Sequence, residues 1–390
     1  MTALNRRRFL ELGALGGALG AAFPASGEAG QAASRAADPS VDRTVSLTGD
    51  GIPHTPSQYA HLLARLTEEQ GTAADNYILG GVVEELEATC ARLLGKEAAV
   101  FIPTGTLANH LAIRLLANER SVRALVQAES HIYQDSGDCV QTLSSITLMP
   151  LAAGRATFTV ADMQQVLDQT RTGRVARPIA VLSIESPVRR KSGEIFERVE
   201  LSRVLATARA NGIRLHLDGA RLFIEAAYAN KDVKEYTAPF ETVYVSLYKY
   251  FNAASGAILA GPRELLKDLF HTRRMFGGGL YQAWPFAAVA LHYADKFAER
   301  LRKAISLSEA VIDGLQRLDG VTVQRVTPGT NLFGLRVPAA KATSLRERLA
   351  RDGVRLGAPA PSGAFTVAVN ETWARMDAPA LVDAFRRALA

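Results

Sequence analysis

Residues 95–109 read GKEAAVFIPTGTLAN. Ala98–Ile102 is an apolar run with the length and composition of a buried strand, and Thr106–Ala117 carries apolar residues at helical spacing. Gly105 lets the backbone between them approach a ligand closely, and the helix that follows begins with free backbone N–H groups at the positive end of its dipole. Gly105 and Thr106 are therefore predicted to bind a phosphate; the alternative is a plain helix cap.

The alternation of strands and helices continues along the chain. Further strand patterns lie at 124–127, 146–149, 179–184, 213–217, 242–246 and 256–260, with helical patterns at 82–94 and 201–211. This order predicts an α/β fold with a mostly parallel sheet covered by helices on both faces.

The pattern changes at the glycine run 277–279. A long helical pattern at 285–318 precedes strand patterns at 321–325, 332–337 and 365–369, with helices at 342–352 and at the C-terminus. We therefore predict a large domain at 38–276 and a smaller C-terminal α+β domain at 277–390.

The first residues resemble an export signal. Residues 5–10 read NRRRFL, and a short apolar run rich in glycine and alanine follows at 12–23. Two arginines, one residue of any type and then Phe-Leu resemble a bacterial twin-arginine signal; the alternative is a short basic amphipathic helix. Residues 1–37 are thus predicted to be removed and the mature protein to be periplasmic. It is also predicted to be soluble, since no later segment has the roughly eighteen uninterrupted apolar residues of a membrane span.

Composition narrows the classes of partner. The 390 residues are 48% hydrophobic and 22% charged, as in a typical soluble protein. The net charge of +6 comes from basic residues scattered among acidic ones, without the stripe of a nucleic-acid binder. Cys90 and Cys139 are the only cysteines, too few for a disulfide framework or a cysteine zinc site. They could pair, but we expect two buried free thiols, and we predict no metal site.

Two loops at predicted strand ends carry charged residues. Asp218 ends an apolar strand, which is costly unless a cation meets the carboxylate. A pyridinium nitrogen would be such a partner; the alternative is a cap for the next helix. Lys249 follows the strand 242–246 among aromatic residues, where burial disfavours its charge. An imine to an aldehyde cofactor would explain it, and Ser246 could reach the same phosphate as Thr106; the alternative is a surface lysine.

A histidine completes the set. His131 follows the strand 124–127 and could stack on a cofactor ring and carry a proton; the alternative is a core histidine bonded to backbone. Open α/β sheets bind ligands at the carboxyl ends of their strands, where all four loops lie. A phosphate loop, a histidine, an aspartate and a lysine in this order indicate pyridoxal 5′-phosphate (PLP) as cofactor.

These residues resemble the threonine aldolase and β-eliminating lyase family of PLP enzymes, over about 71–279. The most specific stretches are 95–109, 215–222 and 245–249. The resemblance implies the aspartate-aminotransferase fold (fold type I) with a sheet of the seven-stranded type. It implies Lys249 as the imine lysine, Asp218 as the partner of the pyridine nitrogen and His131 as the histidine stacked on the ring.

The resemblance also extends to the substrate and to neighbouring subunits. It implies that Arg221 lies beside the carboxylate of an amino-acid substrate. Family members form homodimers or homotetramers with active sites at subunit interfaces, so that Arg274 and the glycine run would reach a neighbouring site.

Three departures concern the substrate side. Val188 stands where family aldolases have a histidine that handles the substrate's β-hydroxyl. No second arginine for the substrate carboxylate occurs near Thr366, and Tyr281 replaces an arginine past the glycine run. Residues Arg189-Arg190-Lys191 lie nearby and could bind an acidic substrate, although a solvated loop is the preferred interpretation.

The function predicted from the sequence is a PLP-dependent carbon–carbon lyase. It would cleave Cα–Cβ of a β-hydroxy-α-amino acid to glycine and an aldehyde, with His131 as base and Arg221 binding the carboxylate. The alternatives are a β-eliminating lyase or another PLP reaction at Cα, and, from a different class, a non-catalytic exported protein that keeps the PLP fold.

Overall fold

A short strand lies near the start of the computed structural model, which describes residues 43–117, 121–172 and 174–390. The predicted signal at 1–37 lies outside these residues. Strand β1 (Val45–Ser46) pairs in parallel with Val354–Arg355, near the other end of the chain. The predicted domain boundary between 276 and 277 stays a prediction, and β1 shows that the N-terminal segment contacts the C-terminal part.

The central sheet has seven strands in the order β2-β8-β7-β6-β5-β3-β4. The strands are β2 Ala98–Ile102, β3 Arg123–Gln127, β4 Thr147–Leu151, β5 Val181–Glu185, β6 Arg214–Asp218, β7 Thr242–Ser246 and β8 Ala257–Gly261. Strand β8 runs antiparallel to both neighbours, and all other pairs are parallel. Strands β5, β7 and β8 are buried along their whole length because helices cover both faces. The predicted α/β class and mostly parallel sheet are confirmed.

Fifteen α-helices occur in the described part of the chain. They are α1 Pro56–Gln70, α2 Gly81–Leu94, α3 Gly105–Leu116, α4 His131–Gln134, α5 Cys139–Ser144, α6 Val160–Arg171, α7 Arg198–Ala210, α8 Leu222–Tyr228, α9 Val233–Thr237, α10 Arg263–Leu266, α11 Leu269–Met275, α12 Trp284–Ala294, α13 Phe297–Gln316, α14 Ala339–Arg351 and α15 Ala378–Leu389. Within residues 43–117, 121–172 and 174–390, none is long and apolar enough to cross a bilayer.

The C-terminal part forms a second, antiparallel sheet. Strands β9 (Thr322–Arg325), β10 (Leu332–Arg336) and β12 (Ala364–Ala368) pair in the order β12-β10-β9, and β11 is the Val354–Arg355 partner of β1. Helices α14 and α15 pack against each other beside it. These elements match the α+β pattern expected beyond residue 277.

One expected helix is wrong. The pattern at 285–318 forms two helices, α12 and α13, separated by Asp295 and by Lys296, which has a left-handed φ of 50°. Helix α12 packs on α1 and α2, whereas α13 packs on α8 and α15, so the chain must change direction between them. Because the buried residues Ala294 and Phe297 flank the break, the apolar pattern continues across it and hides it.

Both cysteines are free, but only Cys90 is buried. Cys139 is partly exposed at the start of α5, so the expectation of two buried thiols is right for one of them.

Candidate active site

The carboxyl ends of β5, β6 and β7 bring the predicted site together. Asp218, the last residue of β6, lies opposite Glu185 of β5 and Tyr244 of β7 in the sheet register. Lys249 lies three residues after Ser246, the last residue of β7. Neighbouring parallel strands thus place the predicted aspartate and lysine at one edge of the sheet, as the sequence pattern indicated.

Asp218 is buried, and its carboxylate is held by two donors. Asn109 donates its amide N–H to Oδ2 at 2.6 Å, and the backbone N–H of Ala220 lies 3.1 Å from Oδ1. Asp218 caps no helix, since the N-cap of α8 is Arg221 and lacks a side-chain capping bond. The capping alternative considered for this residue therefore does not describe the geometry.

Lys249 is half-buried, with Nζ 5.6 Å from the centre of the Tyr248 ring. Burial, reinforced by the charge of Arg221 and opposed by that of Asp218, lowers the pKa of Lys249 from 10.5 to about 8. A larger fraction of the amine is therefore neutral and nucleophilic near neutral pH than for an ordinary lysine.

The lowered pKa of Lys249 predicts how the apo-protein takes up PLP. Covalent attachment needs the neutral amine, so we expect its rate to rise with pH and to level off above a midpoint near 8, the pKa of the buried group. The visible absorbance of the attached cofactor measures this rate, with N-acetyl-lysine as the control amine. A rate that still climbs steeply above about pH 10, as expected for an ordinary lysine, would contradict the shift.

Arg221 is held by a residue that sequence reasoning missed. Its Nε donates to Oδ2 of Asp50 at 2.8 Å, and both side chains are largely buried. Asn331, just before β10, donates to the other oxygen of Asp50 at 3.2 Å. Within the described part of the chain, the Nη atoms of Arg221 have no hydrogen-bond acceptor. These nitrogen atoms are the part of the guanidinium that is available to bind a carboxylate.

The segment that carries Asp50 lies directly on the lysine loop. A Cβ added to Gly51 would lie 2.5 Å from the backbone oxygen of Lys249 and 2.3 Å from Oδ1 of Asn252, so only glycine fits there. The same Oδ1 accepts the backbone N–H of Ile52 at 2.7 Å. The N-terminal segment is therefore an integral part of the site, although no sequence motif marks it.

Substitutions of Asp50 should distinguish two of its effects on Arg221, the orientation of the guanidinium and the nearby negative charge. Asp50→Ala removes the acceptor that fixes Nε of Arg221, and we expect KM for a substrate bound through its carboxylate to rise about tenfold with kcat little changed, the usual scale of one charge-assisted hydrogen bond. Asp50→Asn keeps an acceptor and removes a negative charge, so KM should stay at or below the wild-type value. Steady-state kinetics measures both; an unchanged KM in Asp50→Ala would show that Arg221 needs no such support.

His131 begins α4 and contacts the phosphate-loop residue Thr106. Its Nε2 lies 3.1 Å from Thr106 Oγ1, and its backbone N–H donates to Oε2 of Glu185 at 2.6 Å. Glu185 Oε1 accepts the backbone N–H of Arg189 at 2.9 Å. Burial and the charge of Asp218 raise the pKa of Glu185. The structure thus joins His131 and Thr106, and Glu185, which received no role from the sequence, holds both adjoining loops.

Gly105 packs against the side chain of Tyr244, and Ser246 lies two residues after Tyr244 in the same strand. A Cβ on Gly105 would lie 2.0 Å from the hydroxyl of Tyr244, so this glycine is needed for close packing. Thr104 caps α3 through the backbone N–H of Leu107. The Ser246 hydroxyl is fully buried without a well-formed hydrogen bond to a protein group, although buried hydroxyls normally have one.

Arg274 lies away from this cluster in the described chain. It is exposed on α11 and stacks on Tyr77, with its guanidinium carbon 5.1 Å from the ring centre. Tyr77 packs in turn on Tyr281, and both rings are exposed, at 42% and 65%. No described residue of this subunit's site contacts Arg274, so its expected role depends on a second subunit.

The structure also shows the surroundings of the basic cluster and of the position where the family histidine is missing. Arg189 and Arg190 both bind Asp135, at 2.6 and 3.2 Å, which supports the solvated-loop interpretation for these arginines. Val188 is fully buried and pairs with Glu194 in an isolated bridge, so it offers the site no polar group. Thr366 lies in β12 opposite Gly334 of β10, so its partner in the strand register is not an arginine.

The residues present fit PLP. Asp218 presents a fixed carboxylate for a ring nitrogen, and Lys249 presents a half-buried amine with lowered pKa for an aldehyde. The N-terminus of α3 and the buried hydroxyl of Ser246, which lacks a well-formed hydrogen bond, are suited to a phosphate. Fold and site together define a PLP-dependent enzyme with the fold of aspartate aminotransferase.

The chain belongs to the β-eliminating lyase family, whose model matches residues 66–337. It is 30% identical over 207 residues to the low-specificity L-threonine aldolase of Saccharomyces cerevisiae, covering 53% of each chain. It is 31% identical over 205 residues to the alanine racemase TOXG of Cochliobolus carbonum, covering 52% of each. The matched region spans between about half and three fifths of the first curated relatives, 53%, 62% and 54% of their lengths.

Solved structures agree with the fold. A Listeria monocytogenes protein assigned as an L-allo-threonine aldolase superposes with a TM-score of 0.73 at 26% identity, covering 90% of this chain and 97% of that one. The resemblance stated from the sequence is therefore confirmed at the level of family and fold.

Proposed function

We propose that this protein is a PLP-dependent lyase of the threonine aldolase type, which cleaves a β-hydroxy-α-amino acid to glycine and an aldehyde. The observation that carries the proposal is the placement of Lys249, Asp218 and Arg221 at one sheet edge in a chain of this family. When bound, PLP accepts the electrons of the bond that breaks at Cα.

The chain's own residues supply binding and proton transfer. Arg221, oriented by Asp50, binds the substrate carboxylate through its free Nη edge. Lys249, the residue that would hold PLP, has a pKa of about 8 and can therefore take up or release a proton at Nζ near neutral pH. His131 is the half-buried imidazole beside Thr106 and takes the proton of the substrate hydroxyl.

The test is an assay of purified protein with L-threonine, L-allo-threonine and phenylserine. The expected result is equimolar glycine and aldehyde from at least one of them, with L- and D-enantiomers compared to define stereochemistry. Absence of aldehyde from all of them, in protein loaded with PLP, would overturn the proposal.

A second candidate is a reaction at the Cα–H bond. Val188 is buried where family aldolases have their histidine, so aldol cleavage depends on His131 alone as acceptor for the proton of the β-hydroxyl. An enzyme that needs only Cα deprotonation loses nothing by this change. Release of pyruvate and ammonia from a β-substituted amino acid would identify β-elimination, and loss of optical rotation in alanine would identify racemisation.

The proposal of an oligomer is based on four exposed apolar side chains, Tyr77, Leu79, Met275 and Tyr281, which are 42%, 56%, 77% and 65% exposed. Such clusters of apolar side chains commonly mark protein interfaces. We propose that a second copy of the chain covers these side chains in a homodimer or homotetramer and receives Arg274 near its site. Light scattering on gel-filtered protein tests the state; Tyr281→Glu should give monomers, and a monomeric wild-type protein would contradict it.

Export to the periplasm is proposed from residues 5–10 alone. Replacing Arg6 and Arg7 by lysines should retain the protein in the cytoplasm if they form a twin-arginine signal. Fractionation of cells measures this, and unchanged periplasmic delivery would remove the assignment.

A further inference from the structure

A row of hydrogen bonds extends from Asp218 into the protein interior. Asn109 Nδ2 lies 2.6 Å from Asp218 Oδ2, and His216 Nε2 lies 2.8 Å from Asn109 Oδ1. His216 Nδ1 lies 2.9 Å from the Thr242 hydroxyl. Asn109, His216 and Thr242 are fully buried, and Asp218 is 2% exposed. None of the three supporting residues reaches solvent, so water does not replace them.

The partners dictate the direction of every bond. A carboxylate only accepts, so the amide nitrogen of Asn109 must face Asp218 and its oxygen must face His216. That oxygen only accepts, so Nε2 of His216 carries the hydrogen. Burial lowers the pKa of His216 to about 4, and the ring is neutral at physiological pH. Its Nδ1 therefore accepts from the Thr242 hydroxyl, and each donor points towards Asp218.

The same helix connects this row to the phosphate loop. Asn109 lies on α3, three residues after Thr106, and residues at this spacing share a helix face. His216 lies on β6, two residues before Asp218, and therefore on the same face of the sheet. Helix α3 thus contributes to both expected ends of the cofactor, its phosphate and its ring nitrogen.

We propose that Asn109 and His216 are positioning residues that fix the Asp218 carboxylate against the ring nitrogen of PLP, with Thr242 fixing the histidine. Hydrogen bonds in such a row polarise one another, so an outer member affects the carboxylate without touching the cofactor. This role rests on PLP binding, which belongs to the proposed function, and is independent of which bond at Cα is broken.

Matched substitutions of His216 test the proposal. His216→Gln keeps an N–H that can reach Asn109, whereas His216→Leu removes it in a similar volume. We expect His216→Leu to weaken PLP binding to the apo-protein about tenfold, the scale of one buried hydrogen bond to a charged network, and His216→Gln to stay near wild type. The pH midpoint of the bound cofactor's visible absorbance should move in the leucine variant alone.

Two more conservative substitutions, at Thr242, control for misfolding. Thr242→Val is isosteric and should change PLP affinity and the pH midpoint of the absorbance in the same direction as His216→Leu, by a smaller amount. Thr242→Ser keeps the hydroxyl and should leave both values near those of the wild type. Loss of thermal stability in all four variants, with PLP affinity and absorbance titration unchanged in the folded protein, would overturn the positioning role. Failure of the wild-type protein to bind PLP would overturn the proposed function as well, so the two failures are distinguishable.

Discussion

Lys249→Ala is expected to lower turnover of the PLP-loaded protein by roughly a thousandfold or more, the upper part of the range for loss of one acid–base group, because the same amine also anchors the cofactor. The geometry supports this size of effect, since Lys249 is the amine beside Asp218 whose pKa falls to about 8. Turnover should be measured with the best substrate from the aldehyde assay, at saturating PLP.

Borohydride reduction gives a direct readout of the attachment. Peptide mass spectrometry of the reduced wild-type protein should find a pyridoxyl group on Lys249, and the alanine variant should carry none there. Lys231→Ala is the matched control, since Lys231 is exposed and forms only a surface ion pair with Glu235. Full labelling of another lysine in the wild-type protein would refute the assignment of Lys249.

Asp218→Asn should reduce kcat by roughly 100- to 1,000-fold, the magnitude usual for loss of one preorganised electrostatic partner in a buried site. The amide fills the same space, but it removes the negative charge that would face the ring nitrogen. It would also place a second amide against the donor from Asn109, which lies 2.6 Å away. PLP affinity should fall together with kcat.

The control for Asp218 is an aspartate whose amide analogue performs the same task. Asp377 caps α15 through the backbone N–H of Ala380, and asparagine caps helices about as well. Asp377→Asn should therefore leave kinetics and stability unchanged. Full PLP occupancy with turnover within about threefold of wild type in Asp218→Asn would disprove the assigned role, since a charged partner is worth far more.

Local sequence signals predicted the sheet well. The expected strands at 98–102 and 242–246 coincide with β2 and β7, since each is a short apolar run with polar loops on both sides. Four site loops were predicted because parallel strands bring their carboxyl ends together whatever lies between them in sequence. The break between α12 and α13 was missed because apolar spacing continues through it.

One physical reason explains why the sequence did not predict several residues of the site. Asp50 is 171 residues from Arg221 and 281 residues from Asn331, and only tertiary packing brings the three together. Asn109 and His216 stood inside recognised motifs, but their bond to each other spans 107 residues and needs coordinates. Local patterns encode elements and strand ends; contacts between distant segments have no such signature.

The position of Asp50 in the site limits how far the chain can be truncated from its N-terminus. Within the described residues, the contacts of the N-terminal segment with the site begin at Asp50, so cleavage ahead of Asp50 removes none of them. Digestion through Asp50 would strip Arg221 of its anchor and uncover the Lys249 loop, although the central sheet would stay complete. Activity should therefore be lost once cleavage passes Asp50.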